Sequence, residues 1–307
     1  MILPGDNRFR CLTATAALAA AVLLCVQFCA AQDEAPAPAP QQVPEMSSRP
    51  TTALLDTGFH NLYQLDFKTA RQEFVDYQNL APDDPMGKAA EAASYLFEQF
   101  NAKGVFTSAF FVDDSKFLKG VDGSPEENRN QEFEDANNEA REHARKILRS
   151  DAQNTNAMLV LTMTDGMESD YDALIEKKQI AAVTLTKQAE AEATTLLAID
   201  PNAQDAYVAL GAGHYIIGCL PGYKRAFLWF GGIHGDKELG MHQEEIAAYH
   251  AHYFKPFAKI LLALAYEREH QPDKARVLLV ELKDAFPTNP HFGRELALLD
   301  DRLCCAR

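Results

Sequence analysis

The sequence is short of basic residues. Its 307 residues include 29 Lys and Arg against 44 Asp and Glu, which gives a formal net charge of -15. No basic stripe interrupts this acidity, so a nucleic acid would have to place its phosphates against the field of the whole chain. We therefore exclude nucleic acid as a partner.

Cysteine is also scarce, since three of the six cysteines lie within the first 29 residues. The remaining three are Cys219, Cys304 and Cys305. Neighbouring cysteines rarely bond to each other, because the required separation of their Cα atoms is hard to reach across one peptide bond. We predict free thiols, and a bridge from Cys219 to one of the pair is the alternative.

The chain lacks the short motifs of common catalytic sites. It contains no Gly-x-Ser-x-Gly, no Cys-x-x-Cys and no His-Glu-x-x-His, and its many acids form no paired-carboxylate site. The glycines at Gly211 and Gly213 lie in a helical pattern without the preceding strand that a dinucleotide site needs, and Gly87-Lys88 lacks the upstream glycine of a P-loop. We predict neither an enzyme nor a bound cofactor.

The segment 234–252 is the one concentration of histidine. Its histidines are His234, His242, His250 and His252. Imidazole suits zinc and iron, but an ideal helix turns His250 well away from His242 and points His252 away from His250. We predict no metal. The alternative is a metal carrier or an enzyme that uses His234, Asp236 and His242.

The amino terminus has the pattern of an export signal. Arg8 and Arg10 precede an apolar run over 12–28, and the small residues 29–31 resemble a cleavage site. We predict a signal peptide over 1–31 and a disordered Pro/Ala-rich linker over 32–50. The protein would then be periplasmic or extracellular, and an uncleaved membrane anchor is the alternative.

After residue 50 the apolar residues recur at helical spacing, and one short pattern repeats. In each copy an alanine is followed four positions later by another apolar residue. In three of the four copies a proline stands eight positions after that second residue. The copies are Ala70, Phe74 and Pro82; Ala140, Ala144 and Ala152; Ala189, Ala193 and Pro201; and Ala275, Leu279 and Pro287. Small residues where two helices cross and a proline that ends the second helix are typical of paired helices.

These units resemble the tetratricopeptide repeat, a helix-turn-helix unit of 34 residues. The resemblance is clearest over 51–84 and 256–289, and degenerate repeats lie between them. It implies an all-α fold over 51–303, an irregular right-handed solenoid of about five antiparallel helix pairs. We expect the insertion 101–122 to form a short helix that folds back on the solenoid, and 291–303 to form a final covering helix.

The sequence also predicts the local structure of two further segments. The acidic stretch from Asp165 to Asp172 predicts a loop before a long helix to Ile199, and it lacks the glycine and glutamate of a calcium loop. The only tryptophan, Trp229, lies in the aromatic run 227–230 and is predicted to be part of the core.

A glycine-rich turn over 231–240 is the least helical stretch of the repeat region. We interpret its glycines as a means of turning the chain and packing helices closely, and Asp236 as the cap of the next helix. The signature residues are Gly231, Gly232, Gly235, Asp236 and Gly240. With Leu220-Pro221 before it, this segment resembles the central signature of the inclusion-body-clearance type of tetratricopeptide proteins and their exported bacterial relatives.

That resemblance implies an adaptor without a catalytic site. A solenoid presents a concave surface lined by the first helix of each pair, which suits an extended peptide or a partner helix. The candidate groove residues on these first helices are Asn61, Tyr207, His214, Lys259 and Tyr266. We predict a scaffold that binds a protein or peptide, and a structural subunit of an envelope assembly is the alternative.

Overall fold

A computed structural model describes residues 50–113, 116, 119–121 and 127–305, and within them every regular element is a helix. The signal peptide predicted over 1–31 and nearly all of the linker predicted over 32–50 lie outside these residues. The helices are α1 (Pro50–Tyr63), α2 (Phe67–Leu80), α3 (Met86–Ala102), α4 (Ser108–Phe111), α5 (Glu127–Ser150), α6 (Thr155–Leu174), α7 (Gln179–Ile199), α8 (Tyr207–Cys219), α9 (Gly222–Phe230), α10 (Lys237–His250), α11 (Lys255–Arg268), α12 (Pro272–Ala285) and α13 (Pro290–Cys305).

The longer helices pack in chain order as five pairs. The pairs are α1 with α2, α3 with α5, α6 with α7, α8 with α10, and α11 with α12, and α13 packs on the last of them. Each pair also packs on the next, as expected for stacked repeats. The predicted all-α fold of about five helix pairs is therefore confirmed for the described residues.

The two clearest sequence repeats share their local geometry. Leu65 and His270 occupy equivalent inter-helix turns, and both adopt the left-handed backbone conformation, with φ of 66° and 57°. In each turn the amide of the following residue donates a hydrogen bond to the carbonyl oxygen five residues before it, at 2.9 and 2.8 Å. The repeat pattern in the sequence thus marks a repeated structure.

Small residues lie where the helices of a pair cross. Ala70, Ala140 and Ala275 are fully buried. Opposite Ala70 on α1, a Cβ added to Gly58 would lie 2.3 Å from the ring of Phe74. The close approach of these helices therefore depends on the small residues that the sequence pattern identified.

The insertion after α3 folds back as expected. Its short helix α4 buries Phe110 and Phe111, and it packs against α11. The guanidinium of Arg268 donates a hydrogen bond at 2.6 Å to the carbonyl oxygen of Phe111. The insertion therefore joins two helices that are distant along the chain.

The acidic stretch from Asp165 to Asp172 is helical, and the prediction of a loop there is wrong. These residues lie inside α6, which Asn154 caps by accepting a hydrogen bond from the amide of Ala157 at 3.0 Å. Asp165 is buried, and its carboxylate lies 2.7 Å from the guanidinium of Arg141 on α5. Arg141 comes from a neighbouring helix, so the sequence around Asp165 does not show it. Its positive charge offsets the cost of burying the Asp165 carboxylate on a helix face.

The first helix pair contacts the turns that flank the last pair directly. The hydroxyl of Tyr63 donates to the carbonyl oxygen of Tyr253 at 3.1 Å, and the side-chain amide of Asn289 donates to the carbonyl oxygen of Tyr63 at 2.9 Å. Near α4, the hydroxyl of Ser108 donates to the carboxylate of Glu295 on α13 at 2.6 Å. The stack is thus closed across its ends, unlike a solenoid in which each repeat touches only its neighbours.

Two smaller observations concern the chain's chemistry and its relation to membranes. Cys219, Cys304 and Cys305 are free thiols, as predicted. Among the described helices, none is long and apolar enough to cross a bilayer, and the apolar run over 12–28 lies outside the described residues.

Candidate functional site

The helix stack contains a partly open cavity of about 220 Å³. All five first helices, α1, α3, α6, α8 and α11, contribute lining side chains, and among the second helices as described only α7 does so. The first helices therefore supply most of the lining, and α7 supplies part of it. That the first helices form a partner-binding groove stays a prediction.

The five candidate groove residues lie away from this cavity. Four of them form hydrogen bonds with a second helix, and Tyr207 packs at the junction of two core clusters. The four bonds join Asn61 to Glu73 at 3.0 Å, His214 to Gln243 at 2.9 Å, Lys259 to Glu281 at 2.7 Å, and Tyr266 to Glu245. None of the five lines the cavity, and their role in binding stays a prediction.

Helix periodicity explains this placement. On α11 the cavity is lined by Phe257 and Leu261, and Lys259 lies two residues from each, about 200° around the helix. On α8 the cavity lining includes Gly213 and Ile217, which neighbour His214, and the His214 ring is bonded to Gln243 on α10. Lys259 therefore faces its partner helix α12, and the apolar residues beside it on α11 face the cavity.

The glycine-rich turn packs directly on the backbone of α8. A Cβ on Gly235 would lie 2.2 Å from the amide nitrogen of Gly218, and one on Gly240 would lie 2.5 Å from that of Tyr215. Any larger residue at these positions would separate α10 from α8. The interpretation that these glycines permit close helix packing is confirmed.

The start of the turn is held by backbone and side-chain contacts. Gly232 has a φ of 74°, and the carbonyl oxygen of Gly231 accepts a hydrogen bond from Lys187 on α7 at 3.0 Å. Asp236 caps α10, because its carboxylate accepts a hydrogen bond from the amide of Leu239 at 3.0 Å. The signature segment therefore anchors α9 and α10 to the two helices before them, which is a structural role.

The helix α9 exposes its aromatic residues. Tyr223, Phe227, Trp229 and Phe230 retain 61–84% of their accessible surface, and no residue of α9 is buried. The prediction that Trp229 belongs to the core is wrong. The physical reason is that α9 projects between α8 and the glycine-rich turn, so no other described helix covers it.

The histidines of segment 234–252 are dispersed. His234 lies beside Trp229, His242 lies 3.8 Å from Glu245, and His252 pairs with Asp56 on α1 at 2.8 Å. In the part of the chain that the structure describes, no three His, Cys, Asp or Glu side chains are grouped so that they could hold a metal ion.

Several buried or half-buried acids have raised pKa values because burial disfavours their charged form. Burial raises the pKa of Asp170 to about 7 and, together with the nearby Asp165 carboxylate, that of Glu192 to about 7. Burial also raises the pKa of Glu244 well above its ordinary value. Asp170 lines the cavity, whereas Glu244 lies on α10 against Gly211. Neither Asp170 nor Glu192 was a candidate site residue from the sequence.

Comparison with known proteins yields a weak likeness to a solved structure. No protein-family model matches the chain, and no curated protein matches it. Among solved structures, the chain is similar to TTC0263, a thermophilic tetratricopeptide repeat protein from Thermus thermophilus, with a TM-score of 0.43 and 13% identity. The match covers 81% of this chain and 98% of that one, and it is too distant to carry an argument.

Proposed function

We propose that this protein is a non-catalytic scaffold that binds a protein partner through the aromatic surface of α9. This surface consists of Tyr223, Phe227, Trp229 and Phe230. The observation that carries the proposal is their joint exposure on one short helix. Scattered exposed apolar residues are ordinary, but a contiguous aromatic patch usually marks an interaction site.

The spacing of the aromatic surface favours a grooved protein partner. Tyr223, Phe227 and Phe230 stand at positions i, i+4 and i+7, so they form one stripe along the helix. Amphipathic helices insert such stripes into apolar grooves of their partners. Lys224 borders the stripe in a chain that is otherwise strongly acidic, so we expect acidic residues at the rim of the partner's groove.

The glycine-rich signature fits this function as a support for α9. Gly235 packs against α8, and the carbonyl of Gly231 is bonded to Lys187, so both ends of the turn are held by helices of the stack. A rigid support reduces the ordering cost of binding. The glycine-rich signature would then hold the binding helix α9 in place and take no part in catalysis.

We further propose that the scaffold works outside the cytoplasm. The pattern of a signal peptide over 1–31 and of an extended linker over 32–50 supports export, and the partner would then be a periplasmic, envelope or extracellular protein. The intact mass of the protein recovered from cells checks this. A mass lacking about 31 residues is expected, and the mass of the full chain would support the anchored alternative.

The experiment compares two fourfold serine variants in cells after chemical cross-linking and mass spectrometry. One variant replaces Tyr223, Phe227, Trp229 and Phe230, and the matched control replaces four residues that are also exposed but lie elsewhere, Leu80, Ile180, Tyr249 and Val277. We expect the first variant alone to lose a specific cross-linked protein. Retention of every cross-link by the first variant would overturn the proposal.

Two further measurements separate other uses of the same surface. Sedimentation with vesicles of phosphatidylcholine and phosphatidylglycerol tests the membrane surface, because aromatic residues beside Lys and Arg also suit a lipid interface. Binding to vesicles that is lost in the α9 variant, without loss of a protein cross-link, would replace the proposed partner by a membrane. A partner that remains bound in fixed stoichiometry through purification would identify a structural subunit.

A further inference from the structure

The cavity inside the helix stack has the composition of a site for a small molecule. Its lining is mainly aromatic and aliphatic, with Phe97, Phe106 and Phe257 in mutual ring contact at centroid distances of 5.0 to 6.2 Å. Its volume of about 220 Å³ exceeds the ~150 Å³ of an engineered apolar cavity that takes up benzene. A ligand somewhat larger than benzene therefore fits the space.

One polar group in this lining is not satisfied by the protein. Within the described residues, Asp170 has neither a hydrogen-bond partner nor an ion-pair partner. Every other polar side chain that lines the cavity has a hydrogen-bond partner, namely Tyr63, Thr162, Ser169, Gln179, Thr186 and Asp205. Asp170 is half-buried, so its carboxylate is left to water or to a ligand that enters the cavity.

The charge of the lining limits what that partner is. No Lys, Arg or His is among the described residues that line the cavity, and its two ionisable carboxyl groups are those of Asp170 and Asp205. Asp205 already accepts the amides of His252 and Phe254 at 3.0 and 2.8 Å. A carboxylate or phosphate ligand would find no cation here, whereas an amine would neutralise Asp170.

We propose that the cavity binds a small amphiphile that carries one protonated amine, with the amine against the Asp170 carboxylate and the apolar body among the aromatic side chains. This site is independent of the α9 surface, because none of the four aromatic residues of α9 lines the cavity. Failure of either proposal leaves the other standing.

The test measures binding of three probes of equal chain length, octylamine, octanol and octanoate, to the full chain by titration calorimetry. A charge-assisted hydrogen bond predicts that octylamine binds about tenfold or more tightly than octanol, and that octanoate binds most weakly. Asp170→Asn should remove the preference for the amine. Asp301→Asn, which removes the same charge from an exposed position on α13, should keep it.

A second variant tests the location without removing a charge. Gly166 lines the cavity from within α6, and a Cβ added there meets no atom within 4 Å, so Gly166→Leu fills open space and should fold. We expect it to abolish binding of all three probes while its thermal midpoint stays at or above that of the native chain. Equal affinity for the three probes, no binding of any, or native binding by Gly166→Leu would overturn the proposal.

Discussion

Tyr63 and Tyr253 are 190 positions apart in the chain, yet the hydroxyl of the first donates a hydrogen bond to the carbonyl oxygen of the second at 3.1 Å. Their neighbours extend the contact, since Phe59 packs on the rings of Tyr253 and Phe254. Repeats that touch only their neighbours fray and unfold from an end. The contact between first and last pairs predicts instead that the five pairs unfold together.

Substitution of Asn289 tests whether the contact between the ends of the helix stack stabilises the fold. Asn289→Ala removes the bond to the carbonyl of Tyr63 and the bond at 3.0 Å from the amide of His291, so we expect a loss of about 2 to 3 kcal/mol. Urea unfolding measures this loss. Asn202→Ala, in an exposed turn, should change the free energy of unfolding by no more than about 0.5 kcal/mol. Equal effects of the two variants would contradict the closure.

Gly235 tests the packing of the signature turn. Gly235→Ala places a Cβ against the backbone of Gly218, which no side-chain movement relieves, so we expect a destabilisation of at least about 2 kcal/mol. Gly293→Ala on α13 is the matched control, because a Cβ there meets nothing within 4 Å and alanine favours helix by about 1 kcal/mol. Thermal unfolding should therefore shift in opposite directions. A shift in the same direction would show that the close approach is not required.

Asp236 distinguishes a helix cap from a catalytic acid. Asp236→Ala removes the oxygen that accepts the amide of Leu239, with an expected loss of about 1 kcal/mol, whereas Asp236→Asn keeps a capping oxygen and should change stability little. Urea unfolding of both variants measures the difference. Equal destabilisation by both would indicate that the charge matters more than the cap.

Glu244 predicts a pH-dependent stability. It is buried on α10, and neither carboxylate oxygen has a hydrogen-bond partner within the described residues. Burial raises the pKa of Glu244 well above 4.5, so the folded chain keeps a proton that the unfolded chain releases as pH rises past 4.5. Stability from this group is therefore full below that pH and declines above it, by up to about 1.4 kcal/mol for each pH unit.

Glu244→Gln removes the dependence of stability on pH that comes from this carboxyl group. We therefore expect the substitution to stabilise the chain more at pH 8 than at pH 5. Urea unfolding at both pH values gives the comparison, with Glu142→Gln on the exposed side of α5 as the control for loss of a charge. The same gain at both pH values would show that Glu244 ionises normally in the folded chain.

Local patterns were sufficient to predict the helix pairs. Ala70 and Ala275 marked the helix crossings, and the two units that contain them have turns of the same left-handed geometry at Leu65 and His270. The cap at Asp236 and the close packing at Gly235 could also be predicted, because both depend on residues within a few positions or on the size of glycine.

The remaining features depend on distant residues. From the local sequence alone, Asp165 resembles a residue of an acidic loop. Its ion pair with Arg141 of the neighbouring helix is visible only in the structure. Trp229 was assigned to the core because tryptophan is usually buried, although the spacing of Tyr223, Phe227 and Phe230 already indicated a single apolar stripe on a short helix. The cavity and Asp170 could not be predicted, since both depend on the contact between the first and last pairs.

The most direct test of the proposed function is photo-cross-linking in intact cells from single positions. Benzoylphenylalanine replaces Phe227 on α9 in one chain and Tyr249, which is exposed on α10, in another. We expect one discrete protein adduct from position 227 and none from position 249. The same adducts from both positions, or no protein adduct from position 227, would contradict the assignment of α9 as the partner-binding surface.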